Sequence, residues 1–193
     1  MNMPTRLFAL FFLLTSTTQS LADSFQAPMQ QAHWEFQKTA NACYLIQQIP
    51  LYGSADFVHK AGEALRFSIQ EQRRKAQIIK ASLKIMPAPW IHDVIASRDY
   101  PVYLDNSDIG GYGQLSVYGA AAEAMIDGLL MGNNPTFVYI RDAPVLNLEE
   151  TRVAVSAIKF MKSYKAFSTC RETLVPTLRQ NHASLSRKSR HRG

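Results

Sequence analysis

Apolar and polar residues alternate strictly along Leu65-Arg66-Phe67-Ser68-Ile69-Gln70, the period of a strand with one buried face. Ile79, Ala81, Leu83 and Ile85 alternate with Lys80, Ser82 and Lys84 in the same way. Residues 70–76 between the two runs are polar and charged, so the pattern predicts a long hairpin with a polar tip. Fainter strand patterns lie at residues 34–38, 43–49 and 137–140. Residues 152–160 fit either element type: β-branched Val153, Val155 and Ile158 favour a strand, while their period also admits a helix.

A helical period replaces the alternation further on. Leu115, Tyr118, Ala122, Met125, Ile126, Leu129 and Leu130 recur at three- and four-residue spacing in an Ala-rich segment, which predicts an amphipathic helix. Gly132 is its expected stop, with Asn133, Asn134 and Pro135 preventing continuation. A second helix is expected after Tyr164, carrying Phe167, Cys170 and Leu174, with Pro176 breaking or kinking it. Strands, a helix, further strands and a terminal helix together predict an α+β fold on a mainly antiparallel sheet.

The ends of the chain change the picture. Arg6 precedes an apolar run, residues 7–14, and a polar stretch leads to Ser20-Leu21-Ala22. That is the three-part layout of a secretory signal, with cleavage expected after Ala22. The apolar run is far short of the roughly 20 residues a membrane-spanning helix needs, and no Cys follows the cleavage point to carry a lipid. The expected organisation is a signal peptide at 1–22, one domain at 23–183 and a basic, disordered tail at 184–193. The formal charge of +6 sits at these ends. Arg179, Arg187, Lys188, Arg190 and Arg192 belong to the C-terminal stretch, and the residues between Asp23 and Leu178 carry as many bases as acids. A neutral domain lacks the electrostatic footprint of a nucleic-acid binder.

Cys43 and Cys170 are the only cysteines. In an exported chain an even pair of this kind is expected to form a disulfide. The alternative is a nucleophilic Cys served by a His, which needs partners that spacing does not reveal. The other motifs carry little chemistry. Gly110-Gly111-Tyr112-Gly113 lacks the Lys-Ser/Thr of a phosphate loop and the Rossmann spacing. Asp105, Asn106 and Asp108 lack the ligand spacing and closing Glu of a calcium loop. The five histidines stand singly, without a His or Cys at metal-ligand spacing. No Gly-x-Ser-x-Gly elbow occurs, and Glu149-Glu150 reads as the flank of an element. No catalytic site, metal site or cofactor is expected. Met86-Pro87-Ala88-Pro89-Trp90 is unusual: its prolines end a strand and hold the backbone extended. Trp90 then either closes the core or projects as an interface anchor, which makes Pro87, Pro89 and Trp90 candidate partner-binding residues.

Several of these features, taken in order, resemble the N-terminal domain of the MotY family of sodium-driven flagellar motors. They are Trp34-Glu35, Cys43, Ile49-Pro50 with Gly53, and Met86-Pro87-Ala88-Pro89-Trp90. The set continues with the helix ending at Gly132, then Pro135-Thr136-Phe137, and Ala166-Phe167-Ser168-Thr169-Cys170. The resemblance covers roughly residues 31–175. It implies a barrel-like, mostly β domain with a disulfide, in the periplasm. It also implies a place in the basal-body ring that helps hold stator units, with MotX as partner. Family members continue into an OmpA-like domain that binds peptidoglycan, whereas this chain closes on Ser-Arg-Lys-Ser-Arg-His-Arg-Gly, so peptidoglycan binding is not expected from it. The expectation is a non-enzymatic periplasmic adaptor. The rival is a binding domain for a small apolar or envelope ligand, which requires a concave apolar pocket.

Overall fold

A computed structural model describes residues 23–72, 78–88, 98–105, 113–141 and 150–189, of which residues 105 and 175–189 are described as backbone alone. The chain forms β1 (Asp23–Gln26), β2 (Glu35–Lys38), β3 (Ala42–Ile49), β4 (Gly53–Lys60), β5 (Arg66–Glu71), β6 (Ile78–Met86), β7 (Tyr100–Pro101), β8 (Tyr103–Asp105) and β9 (Gln114–Tyr118). It continues with α1 (Ala120–Leu130), β10 (Asn134–Arg141), β11 (Glu150–Ala154) and α2 (Phe160–Ser189). The fold is α+β, as the pattern predicts. Its strands make two sheets, ordered β1-β11-β10-β6-β7 and β2-β3-β4-β5-β9-β8, rather than the single barrel-like sheet that the resemblance implied. The β1–β11 ladder is parallel and the other ladders among the described residues are antiparallel.

The expected hairpin of 65–70 with 79–85 does not form. Both runs are strands, but β5 pairs with β4 and β9, while β6 pairs with β10 and β7 in the other sheet. Strict alternation fixes which face each strand buries and leaves its lateral neighbour open. The two sheets meet through the core instead. Phe57 of β4 stacks on Phe67 of β5 at 4.4 Å between ring centroids, and Phe67 lies 5.4 Å from Phe137 of β10 in the opposite sheet. Burying such rings removes roughly 150–250 Å² each from water, which makes this aromatic column a large apolar contribution to the fold.

The helical period read from Leu115 onward begins too early. Leu115 to Tyr118 belong to β9, where Leu115 and Val117 lie opposite Ile69 and Phe67. Gly119, at φ +56°, turns the chain, and α1 starts at Ala120. Its C-terminus is as expected: Gly132 takes φ +83°, and the Gly132 and Asn133 N–H groups donate to the Leu129 and Gly128 carbonyls at 3.1 and 2.9 Å. These bonds satisfy carbonyls the helix would otherwise leave open. The ambiguous 152–160 segment divides. Its first part closes β11, and Phe160 opens α2. That helix runs through Pro176 without a break and reaches Ser189, inside the stretch expected as a tail.

The turn from β3 to β4 shows why a glycine follows Ile49-Pro50. A Cβ on Gly53 would stand 2.1 Å from the Gln70 carbonyl oxygen, at φ +153°, so the backbone of β4 approaches β5 as only glycine permits. Trp34 is buried, and its indole N–H donates to the Ser156 carbonyl at 2.9 Å. Gln47 grips the same residue twice, donating to the Ser156 carbonyl at 3.0 Å and accepting its N–H at 2.8 Å. These bonds pin the β2–β3 end of one sheet to the segment after β11 of the other.

Candidate docking site

Cys43 of β3 and Cys170 of α2 are bonded, with 6.1 Å between their Cα atoms. Both sulfurs are thereby committed, so neither residue is a nucleophile. Phe167, one turn before Cys170, is buried against Phe57, and the Ser163 hydroxyl donates to the Trp34 carbonyl at 2.6 Å. The bond therefore anchors α2 across β3 and beside β2, the first strand of its sheet.

A groove lies between that strand and the helix. Phe36, Lys38, Lys165, Ala166, Thr169, Cys170 and Thr173 line it, with a volume of about 460 Å³. Its lining combines apolar carbon with two threonines, and both lysines are exposed. A second hollow of about 300 Å³ opens beside Gln48, Ser54, Gln70 and Gln72, with Glu71 at its base. Both hollows open to solvent, and neither is the enclosed apolar pocket that the small-ligand reading requires.

Glu71 belongs to a polar cluster inside the molecule. Arg141, at the end of β10, donates to the Glu71 carboxylate at 2.5 Å and to the Tyr139 hydroxyl at 3.1 Å. Both members of the ion pair are buried. Burial, with the neighbouring Tyr139, raises the Tyr52 phenol well above its ordinary value, so it stays neutral. Every charge here is matched, and the cluster joins the two sheets. Sequence reading missed it because Glu71 and Arg141 lie 70 residues apart on strands with no ladder between them.

The proline segment is described only in part. Pro87 is half-buried, Ala88 is buried, and Pro89 and Trp90 lie outside the described residues. Also outside them are His92, the side chain of Asp105, Asn106, Asp108, Gly110 to Tyr112 and Glu149. Glu150 opens β11, as expected of a flanking residue, and accepts from Arg152 at 2.6 Å. No group of three or more His, Cys, Asp or Glu among the described residues is placed to hold a metal. No described helix is long and apolar enough to cross a membrane.

Asp56 lies on the face of its sheet away from the aromatic column. Ser68 donates to one of its carboxylate oxygens and Arg66 to the other, the latter at 3.2 Å. Burial raises its pKa above the ordinary 3.8, against the opposing pull of Ser68 and Arg66. The folded state thus holds this proton more tightly than the unfolded chain does. Asp56 contributes stability that is full below pH 3.8 and lost as pH rises through its folded pKa. Relative to Asp56→Asn, the unsubstituted protein should gain stability as pH falls through that window. Urea midpoints for both proteins, measured across the acid range, check this; a constant difference between the two curves refutes it.

Residues 25–176 match the family model of the MotY N-terminal domain. The chain belongs to that family. Sodium-type flagellar protein MotY of Vibrio parahaemolyticus serotype O3:K6 (strain RIMD 2210633) is 29% identical over 153 residues. The alignment covers 76% of this chain and 48% of that protein, so the chain spans about half the length of this curated relative. The MotY family is a structural component of the flagellar motor and not an enzyme. The MotY match takes in β2, the disulfide, both sheets and the groove beside α2.

Proposed function

We propose that this MotY-type domain is a periplasmic adaptor that docks onto a protein partner in the flagellar basal body, in the ring that supports stator units. The observation carrying the reading is the family match, which runs through both sheets to the bonded helix. The disulfide supports an oxidising compartment, and the N-terminal pattern supports export by a cleaved signal. MotX is the expected partner, through the family. Pro87, Pro89 and Trp90 remain the sequence-based candidates for a contact surface.

The test is fractionation of the native bacterium. Epitope-tagged protein should be released with the periplasm and should co-sediment with purified basal bodies, and its deletion should impair swimming. Quantitative release as a freely soluble species, with normal motility after deletion, overturns the proposal. Sedimentation with purified sacculi at about 0.15 M salt, where the Debye length is about 8 Å, separates basal-body docking from direct wall binding. Salt-resistant retention on sacculi alone counts against the adaptor reading.

A further inference from the structure

The first strand of the six-stranded sheet has an outer edge open for pairing, beside the groove. The register Gln37↔Tyr44 and Lys38↔Cys43, with the Thr39 N–H donating to the Ala42 carbonyl at 2.9 Å, fixes which backbone groups face inward. Hydrogen-bonded pairs alternate along an antiparallel ladder. Thr39, Gln37 and Glu35 therefore spend their N–H and C=O groups on β3, while Trp34, Phe36 and Lys38 direct theirs away from the sheet. The β3–β4 ladder agrees in phase: the Ala61 N–H donates to the Asn41 carbonyl, which turns the Cys43 and Leu45 backbone toward β4 and that of Tyr44 toward β2.

Of the three outward positions, the Trp34 carbonyl is taken by Ser163. The backbone groups of Phe36 and Lys38 have no protein partner among the described residues. Their side chains share the face that lines the groove, together with Lys165, Ala166, Thr169 and Thr173. Neither Lys38 nor Lys165 forms a salt bridge among the described residues, and no acid lines the groove.

We infer that the β2 edge and the α2 groove receive an extended, acidic segment of a partner protein as an added strand. The open backbone groups supply the ladder. Side chains two apart on the incoming strand fall on one face, so an apolar residue over Phe36 and Ala166 places an Asp or Glu near Lys38 and Lys165. Main-chain bonds then give affinity and the alternate side chains give selectivity. The inference rests on the docking reading above and adds the chemistry of what docks.

The probe is a fluorescein-labelled peptide of repeated Val-Thr-Glu-Thr, which puts valine and glutamate two apart on one face, followed by anisotropy with the intact, oxidised protein. Two kinds of control peptide accompany it: the same repeat with lysine in place of glutamate, and the valine–glutamate peptide N-methylated at every second residue in either phase. The valine–glutamate peptide should bind at least about tenfold more tightly than the lysine peptide, and binding should weaken with salt as exposed charge pairs do. One N-methylation phase should abolish binding, because it removes the donors that face β2. Lys38→Glu combined with Lys165→Glu should reverse the charge preference while the thermal midpoint stays unchanged, since both side chains are exposed. Amide resonances of Phe36 and Lys38 should move on addition of the peptide. Equal binding of both charge types, indifference to N-methylation, or no binding overturns the inference. A protein that co-sediments with basal bodies yet ignores the peptide would leave the docking reading standing and remove this one.

Discussion

Replacing Cys43 and Cys170 together by alanine is expected to lower the unfolding free energy by about 5 kcal/mol. The bond spans 127 residues, and closing a loop of that length removes about that much chain entropy from the unfolded state. The loss is larger than most single substitutions produce, and the reduced helix keeps only non-covalent contacts such as those of buried Phe167 and Leu174. Urea unfolding of the oxidised wild type, the reduced wild type and the double variant checks it. The last two should coincide and lie well below the first. A double variant as stable as the oxidised protein refutes the loop-entropy account.

The second large effect is expected inside the polar cluster. Arg141→Met leaves the Glu71 carboxylate buried beside Tyr139 and Tyr52 without its cation. Breaking a buried pair from one side costs about 3–5 kcal/mol, more than the pair itself contributes. The double variant Glu71→Leu/Arg141→Met removes both charges and should recover part of that loss. The sign of the coupling is therefore the informative quantity. Denaturant midpoints for the two single variants and the double variant measure it. A double variant less stable than either single one would mean that the cluster itself, rather than its neutrality, sustains the contact between the sheets.

How far the sequence reaches depends on which link is local. Strand identity was legible at residues 65–70 and 79–85 because period two is a local property. Their partners were not, since a polar connector reads the same whether it folds back as a hairpin tip or crosses to a second sheet. At Leu115 the reading failed for a related reason: Leu115, Tyr118 and Ala122 satisfy helical spacing by coincidence. The backbone change sits at Gly119, one glycine whose φ of +56° no periodicity reports. In β4, apolar Ala55 and Phe57 alternate only with Ser54 and Asp56 before Val58 breaks the period, too short a run to stand out as a strand. The disulfide was accessible because cysteine count and compartment constrain it without any knowledge of the fold. The Glu71–Arg141 pair and the β2 groove were not, since each is made by elements brought together only in three dimensions. Sequence marked Pro87, Pro89 and Trp90 by composition, whereas the open edge at Phe36 and Lys38 has no unusual residue to announce it.

The bridge between Cys43 and Cys170 also decides how this molecule answers a mechanical pull. Tension entering along α2 reaches Cys170 and passes through one covalent bond into β3, bypassing the ladders and the aromatic column between. Of the described strands, β1, β2 and the first residue of β3 precede that junction, and they alone are left to peel. The 127-residue separation, about 440 Å of extended chain at roughly 3.5 Å per residue, stays locked inside the covalent loop. A stretched oxidised molecule should therefore lengthen little before something else in the chain of attachment gives way. Reduction would release that hidden length all at once.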